Sequence, residues 1–503
     1  MDNLSTVHNF DLSQFKKAQE SMIAKSKAAY SSLDSRYYGR KNKKYTRKEI
    51  EDIMTNGSEI TKRELSRNYF YSDGFYRRII IYYATLLKFS GLLIPNLAPQ
   101  LNGVYDNKAM NRYYNALDFI EQNNLPTLFT NFTTRALVDG AYYGAILSAD
   151  KNNLVVVDLP ADYCRSRFKD LNGNDIVEFD LRYFNKLSDD ETRNGVLASY
   201  PEVITKAYRK LSRGKRSSNW VMLPSDIGIC FTPFDEVAPL FLSTVLASLD
   251  FDDTVATEKE RDKEEIKKII IQQIPHNNEN QLLFEPEEAV EIHAGTVEMM
   301  KNNENVSVLT TYADVEVASS KTSTDNVANS IEKMTNNIYN EAGVSGQLFG
   351  ANSSMSIELS IENDAAMIMS LFGNRYASFI TGIVNKLFGK GNMSFKYIIL
   401  PITYYNSEKY TDSAFKLASS GYSYLLPAIG SGLSQRDIIN IKDLENNVLD
   451  LTNRLKPLQS GFTQSGDSEA PTDEGGRPAM EDKDKNPSTI KKEESLDGQG
   501  GNK

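Results

Sequence analysis

The chain has 503 residues, which at roughly 150 residues per domain implies about three domains. Apolar residues make up 40% and mean hydropathy is −0.44, too wet a composition for a single large compact core. There are 57 basic and 67 acidic residues, net charge −10 and a pI near 5.2; this argues against a protein that coats nucleic acid, because tight phosphate binding needs surplus Lys and Arg.

The N-terminal residues Met1 to Lys17 hold acids and polar groups and no apolar run, so they do not read as a secretory signal. A basic cluster follows (Arg36, Arg40, Lys41, Lys43, Lys44, Arg47, Lys48), and Thr46 to Glu49 reads as a capping box that opens a helix. Arg67 to Ile94, dense in Tyr, Phe and Ile, is expected to be a mainly helical core segment. Its most apolar part, Ile79 to Ile94, is interrupted by Lys88 and Gly91 and is too short to span a bilayer. Helices are predicted over Asn107–Asn123 and Leu125–Gly140, the second opened by Pro126.

Strands are then predicted at Ala141–Ala149, Asn153–Asp158, Tyr163–Phe168, Ile176–Tyr183, Glu202–Lys210, Trp220–Leu223 and Gly228–Thr232, with Asn172-Gly173-Asn174 as a hairpin turn. Lys206, Arg209, Lys210, Arg213, Lys215 and Arg216 place a basic, glycine-tipped hairpin between Val203 and Trp220. It reads either as a solvated tip or as a nucleic-acid or partner contact.

Asp235 is positioned to cap a helix with Pro239 in its first turn, running to about Lys268 and on the order of 50 Å long. Its first half is apolar. Its second half, Glu258 to Glu265, is nearly all charged, as in a helix that bridges solvent or packs on copies of itself. A small α+β unit comes next, with strands Ile269–Ile274, Gln281–Phe284 and Val306–Val317 around a helix Glu287–Lys301 that carries Val290, Val297 and Met300 on one face. A second helix opens at Thr324/Asp325, with Val327, Ile331, Met334 and Ile338 at helical spacing and Gly343 as a left-handed cap. Val344 to Met355 is rich in Gly, Ser and Asn and uncharged. A long helix follows from Ser356 to Gly389, then a strand Phe395–Ile402. Ser407–Gln459 is predicted helical with breaks at Gly421, Pro427 and Gly430–Gly432. Ser460–Lys503 has too little apolar content to order itself.

Chemistry-bearing motifs are scarce. Two cysteines, Cys164 and Cys230, exclude a disulfide framework and fit a reducing compartment. Three separated histidines (His8, His276, His293), without HExxH or paired CxxC spacing, give no zinc site. Gly389-Lys390 and Gly214-Lys215 lack the upstream glycine of a phosphate loop, and Gly343-Val344-Ser345-Gly346 has the wrong spacing for a nucleophile elbow. Asp250, Asp252 and Asp253 offer carboxylates for a metal, but on a helix they point in different directions, and the cluster reads as a solvated face in preference to a metal site. Neither a catalytic residue nor a cofactor or metal is expected, and the chain reads as a non-enzyme.

Three segments together resemble the tailed-bacteriophage portal (head-tail connector) family. They are Tyr69–Arg78, Leu159-Pro160-Ala161-Asp162-Tyr163-Cys164-Arg165 followed by a hairpin, and above all Val327–Phe372. In the last, a helix ends in Ile338-Tyr339-Asn340-Glu341-Ala342-Gly343-Val344-Ser345, and Leu348-Phe349-Gly350, a polar loop and a long helix follow. Ser345 and Phe349 stand where such proteins often carry proline and a second leucine.

The resemblance implies an α+β, multi-domain portal fold. Its parts would be an N-terminal segment and wing (1–234), stem helices (235–268 and 324–343), a clip (269–323), a tunnel loop (344–355), a long helix with a return strand (356–406), a helical crown (407–459) and a disordered tail (460–503). It further implies a homo-oligomeric ring, usually of twelve copies, located at the portal vertex of a virion and in host cytoplasm during assembly. That ring would pass double-stranded DNA during packaging and ejection and dock large terminase, major capsid, scaffolding and head-tail adaptor proteins. Gly346, Gln347, Leu348, Phe349, Gly350, Ala351, Asn352, Ser353 and Ser354 would line the channel. Twelve copies at −10 would carry about −120 in total, a field that repels DNA from the wall. The rival readings are a non-viral oligomeric scaffold or adaptor and, against the missing phosphate loop, a nucleic-acid-processing enzyme.

Overall fold

The computed structural model describes residues 43–97, 107–170, 173–187, 190–234, 236–266, 268–273, 285–301, 306–311, 324–344, 355–390 and 393–454. The expectations for 1–42, Asp235, Gln281–Phe284, 312–317, Gly346–Ser354 and 460–503 therefore lie outside the described residues. The chain divides into two units, Met1–Ile441 and Lys442–Lys503.

In the first unit, the Thr46 hydroxyl accepts the Glu49 N–H, and the Glu49 carboxylate accepts the Thr46 N–H at 2.8 Å. This capping box starts α1 (Arg47–Asn56). Ser58 caps α2 (Glu59–Ser72), and Asp73 caps α3 (Gly74–Thr85) by accepting the N–H groups of Phe75 and Tyr76. The core segment then turns into a strand, β1 (Gly91–Leu97), where helix had been expected to continue. Lys88 and Gly91 mark the change. A Cβ at Gly91 would overlap the buried Tyr397 ring, so the glycine leaves the space that this ring fills.

Two helices follow as predicted, α4 (Asn107–Gln122) and α5 (Leu125–Asp139). The second ends at Gly140, which is left-handed at φ +79. A Cβ at Gly140 would lie 2.5 Å from the Ala238 carbonyl carbon.

The strands β2 (Tyr142–Ala149), β3 (Leu154–Asp158), β4 (Cys164–Lys169) and β5 (Asp175–Asp180) come next. Beyond Asp180 the expected strand gives way to a 3₁₀ turn, Leu181–Lys186, because the Asp180 carboxylate caps the Arg182 N–H. Helices α6 (Asp190–Ala198) and α7 (Glu202–Ser212) precede β6 (Trp220–Met222) and β7 (Gly228–Phe231). These strands form two antiparallel sheets, β3-β2-β7 and β4-β5-β6. Between them lies a core that includes Phe179, Tyr183, Phe184, Val196 and Tyr200.

Helix α8 (Thr244–Ile266) starts later than expected and spans about 35 Å. Ahead of it, residues 240–243 run as turns with bonds such as Leu242 N–H to Pro239 O and Thr244 N–H to Phe241 O. Val237 fills the sheet core, whereas Phe241 and Leu242 fill the helical core, and one straight helix from Asp235 could not serve both.

Strands β8 (Lys268–Gln273) and β9 (Val306–Thr311) pair in parallel, joined through α9 (Pro286–Met300) as such a crossover requires. Helix α10 (Thr324–Glu341) returns beside α8. Helix α11 (Met355–Ile368) continues through a π-turn, Met369–Gly373, into α12 (Asn374–Phe388). Strand β10 (Met393–Ile399) then pairs antiparallel with β1.

The helical core centres on Tyr376. Its ring stacks on Phe129 at 4.9 Å, meets Phe231 edge-on at 4.7 Å, and its hydroxyl lies 3.0 Å from that of Thr133. The segment after β10 holds α13 (Ser407–Ser419), α14 (Leu425–Gly430) and α15 (Gln435–Asp443), with left-handed Gly421 and Gly432 between them. Pro427 does not break a helix. It sits in the first turn of α14, where its missing N–H leaves no bond unmade. In the second unit, a π-turn at Leu444–Val448 leads to α16 (Leu451–Arg454), and Lys442 pairs with Glu445 at 2.7 Å. The whole is α+β.

Candidate functional site

The nine expected channel residues, Gly346 to Ser354, lie outside the described residues, but both of their anchors are fixed. On the upstream side, α10 ends in a complete Schellman motif. Gly343 is left-handed at φ +72, its N–H reaches Asn340 O at 3.0 Å, and the Val344 N–H reaches Tyr339 O at 2.8 Å. Val344 and Tyr339 are both buried, which supplies the apolar contact of that motif. On the downstream side, α11 begins at Met355 with Glu358 in its first turn, where the helix dipole favours an acid.

One buried polar group ties the two sides together. Asp364 on α11 accepts the Tyr82 hydroxyl at 2.9 Å. The Tyr83 hydroxyl is shared between Asp364 at 3.4 Å and the Ala342 carbonyl at 3.2 Å. Both tyrosines come from α3. Burial pushes the Asp364 carboxyl up, against the two hydroxyls that favour its charge, and burial also raises both tyrosines. Phe75, also on α3, meets Phe251 of α8 at 5.0 Å and Tyr339 of α10 at 6.0 Å. The last turns of α10 therefore lie beside the early turns of α8, so the two helices run antiparallel.

The Leu159–Arg165 segment is a buried junction. Arg63, 1% exposed, donates from Nε to Asp139 O at 2.9 Å and from Nη1 to Ala161 O at 2.8 Å. Arg67 pairs with Asp139 at 2.6 Å and Asp162 at 2.8 Å. Helix α2 is thereby clamped to the end of α5 and to the turn before β4. Cys164 and Cys230 are buried free thiols that burial pushes well up, which makes them poor nucleophiles.

The basic segment is a helix, not a hairpin. Val203, Ile204, Ala207, Tyr208 and Leu211 follow the helical period, and α7 buries Ile204 and Ala207. The β-branched residues at 203–205 mimic a strand only locally. Lys206, Arg209, Lys210 and Arg213 fall on the opposite, exposed face, and Arg216 turns inward to donate to the carbonyls of Ser218 and Trp220.

The α9 face is also other than expected. Ala289 is buried and His293, Thr296 and Met300 are half-buried, while Val290 and Val297 face solvent. Inward-facing polar groups set this rotation. His293 Nδ1 lies 2.8 Å from Thr310 Oγ1, Thr310 donates to Gln272 Oε1 at 3.1 Å, and Gln272 Nε2 donates to Thr296 at 2.5 Å.

No family model matches the chain, and no curated protein matches it. Among solved structures, a chain of the virion of a native gene transfer agent particle is similar at 10% sequence identity with a TM-score of 0.36, over 72% of this chain and 90% of that chain.

Among the described residues no three His, Cys, Asp or Glu side chains converge to hold a metal, and no helix is long and apolar enough to cross a membrane. Of the three clustered aspartates, Asp250 pairs with Arg47, and Asp252 is raised by burial first and then by Asp73 and Asp253. Sequence reasoning missed Arg63, Arg67, Tyr82, Tyr83 and Asp364. A signal was available at Asp364, a carboxylate on the apolar face of Ile361, Ala365 and Ile368; Arg63 shares its face with the buried polar Ser66 and offers no such contrast.

Proposed function

We propose that the chain is a virion structural protein, the subunit of a portal ring. The carrying observation is the antiparallel pairing of α8 with α10, held by Phe75 against Phe251 and Tyr339, around the inserted β8–α9–β9 unit. This is the stem, clip, stem order of the portal resemblance, and the α11–α12 continuation agrees with a long helix behind a channel loop.

In this reading Gly346 to Ser354 face the channel, where an uncharged loop touches moving DNA without an ion pair. Around it, twelve copies close a ring. Terminase, capsid, scaffolding and adaptor proteins meet its outer surfaces, and packaging energy comes from the terminase, since no catalytic group is assigned to this chain. Purified protein examined by light scattering and negative-stain microscopy is expected to give rings with a hole wide enough for duplex DNA. A monomeric mass at every concentration and salt, with no rings, would remove the proposal.

A further inference from the structure

The exposed face of α7 carries Lys206, Arg209 and Lys210, and its C-cap residue Arg213 continues the line, at the spacings of three and four residues that make one stripe of a helix. Among the described residues, Lys206 alone of these is compensated, by Glu202 at 2.7 Å. Among the described residues, the side chains of Arg209, Lys210, Arg213 and Lys215 have no acidic partner. Arg209 and Lys210, in the last turn, complement the helix dipole. That does not explain Arg213 and Lys215, which lie beyond the helix.

The way the helix ends sharpens the point. Gly214 is left-handed at φ +68, its N–H reaches Leu211 O at 3.0 Å, and the Lys215 N–H reaches Lys210 O at 2.9 Å. This is a Schellman motif like the one at Gly343. There the two residues brought together are the buried pair Val344 and Tyr339. Here they are Lys215 and Lys210, both exposed, at the positions where the motif ordinarily makes an apolar contact. Arg209 and Arg213 add a like-charge pair one turn apart, an arrangement that weakens a helix unless an anion lies against it.

We infer that the α7 stripe, with Lys215 folded back onto it, is a contact for the phosphate backbone of duplex DNA, read without regard to base sequence. The stripe from Lys206 to Arg213 is about 10 Å long, enough to reach neighbouring phosphates of one strand. It carries no exposed apolar side chain. A backbone contact needs no more than this, whereas a protein partner ordinarily adds a buried apolar or aromatic anchor. The net charge of −10 opposes DNA at a distance, so attraction at this stripe is local and strongly dependent on salt. The inference does not depend on the portal reading: rings can form whether or not the stripe binds.

The test uses the full chain and fluorescent duplexes of about 20 base pairs in two unrelated sequences, titrated between about 50 and 200 mM salt. A stripe variant (R209Q, K210Q, R213Q) is compared with a control of equal charge change on exposed lysines elsewhere (K333Q, K396Q, K416Q) and with the charge-keeping R209K, R213K. Circular dichroism checks that each is folded. Wild type, control and charge-keeping variants should bind both duplexes alike. The stripe variant should bind more weakly, with a log–log salt slope shallower by about 2.7, so that wild type loses about 40-fold more affinity across that salt range. Equal slopes for stripe and control variants, or no duplex binding by wild type at low salt, would overturn the inference. So would a stripe-dependent affinity for a polyglutamate peptide in the absence of duplex binding.

Discussion

The region from Tyr142 to Phe231 and the unit from Lys268 to Thr311 are both small α+β assemblies, yet they are held together by opposite means. In the first, two three-stranded sheets close over Phe179, Tyr183, Phe184 and Tyr200, all 5% exposed or less. In the second, two strands and one helix meet through His293, Thr310, Gln272 and Thr296, while Val290, Ile292, Val297 and Met299 face outward. A two-stranded sheet is marginal in water without further cover. The contrast teaches that burial fixes side-chain direction in the first region, and that polar pairing fixes it in the second even against the apolar pattern of the helix.

The strongest way to break that contrast is to empty the first core. Phe179→Ala should destabilise the chain by about 3–5 kcal/mol in denaturant unfolding; a loss below about 1 kcal/mol would mean that the aromatic cluster is not what closes the sheets. In the second region, Thr310→Val keeps the shape and removes the hydroxyl that joins His293 to Gln272. About 1 kcal/mol should be lost, seen as faster amide exchange within Pro286–Met300 while the global midpoint stays put. No change in that exchange would show the polar chain to be incidental. The smallest effect is expected at Val297→Ser, on the face the sequence alone would have buried. Unfolding of the protomer should shift by less than about 0.5 kcal/mol, and a core-sized loss would reverse the reading of α9.

Local signals in the sequence carried most of the element order. The Thr46–Glu49 box, Pro126 at a helix start, left-handed Gly343 and the hairpin glycine Gly173 each act within a few residues, and each is where expected. The errors fall where a distant partner decides. Val203-Ile204-Thr205 has strand character until the sheet core takes Ile204 and Ala207 on one helical face. Residues 236–243 stay out of the helix because two separate cores claim Val237 and Phe241. The flanks of residues 345–354 were visible as Gly343 and the start of the long helix, but the group that links them was not. Tyr82 and Asp364 are 282 positions apart, and no local pattern reports such a pairing. Arg63, whose bonds reach 76 and 98 positions away, escaped for the same reason.

The wide turn at Met369–Gly373 has a consequence for how this chain tolerates change in length. Ile368, Phe372, Tyr376, Ile380 and Val384 are all buried at steps of four, and on a regular α-helix each such step overshoots a full turn by about 40°. The π-turn, closed by the Asn374 N–H on Met369 O, takes up that excess like an insertion of one residue that the helix has absorbed. Deleting a single residue there, for instance the exposed Ser370, would restore an unbroken α-helix. Both halves would keep facing as they do now, with Asp364 towards Tyr82 and Tyr376 towards Phe129, because the π-turn uses one residue more than an α-helix for the same rotation. Straightening the turn without deleting a residue would instead rotate one half against the other by about 100°. Asp364 could then meet Tyr82, or Tyr376 could meet Phe129, but not both. The long helix can thus lose a residue at this turn and still answer to both neighbourhoods, whereas it cannot lose the turn and keep the residue.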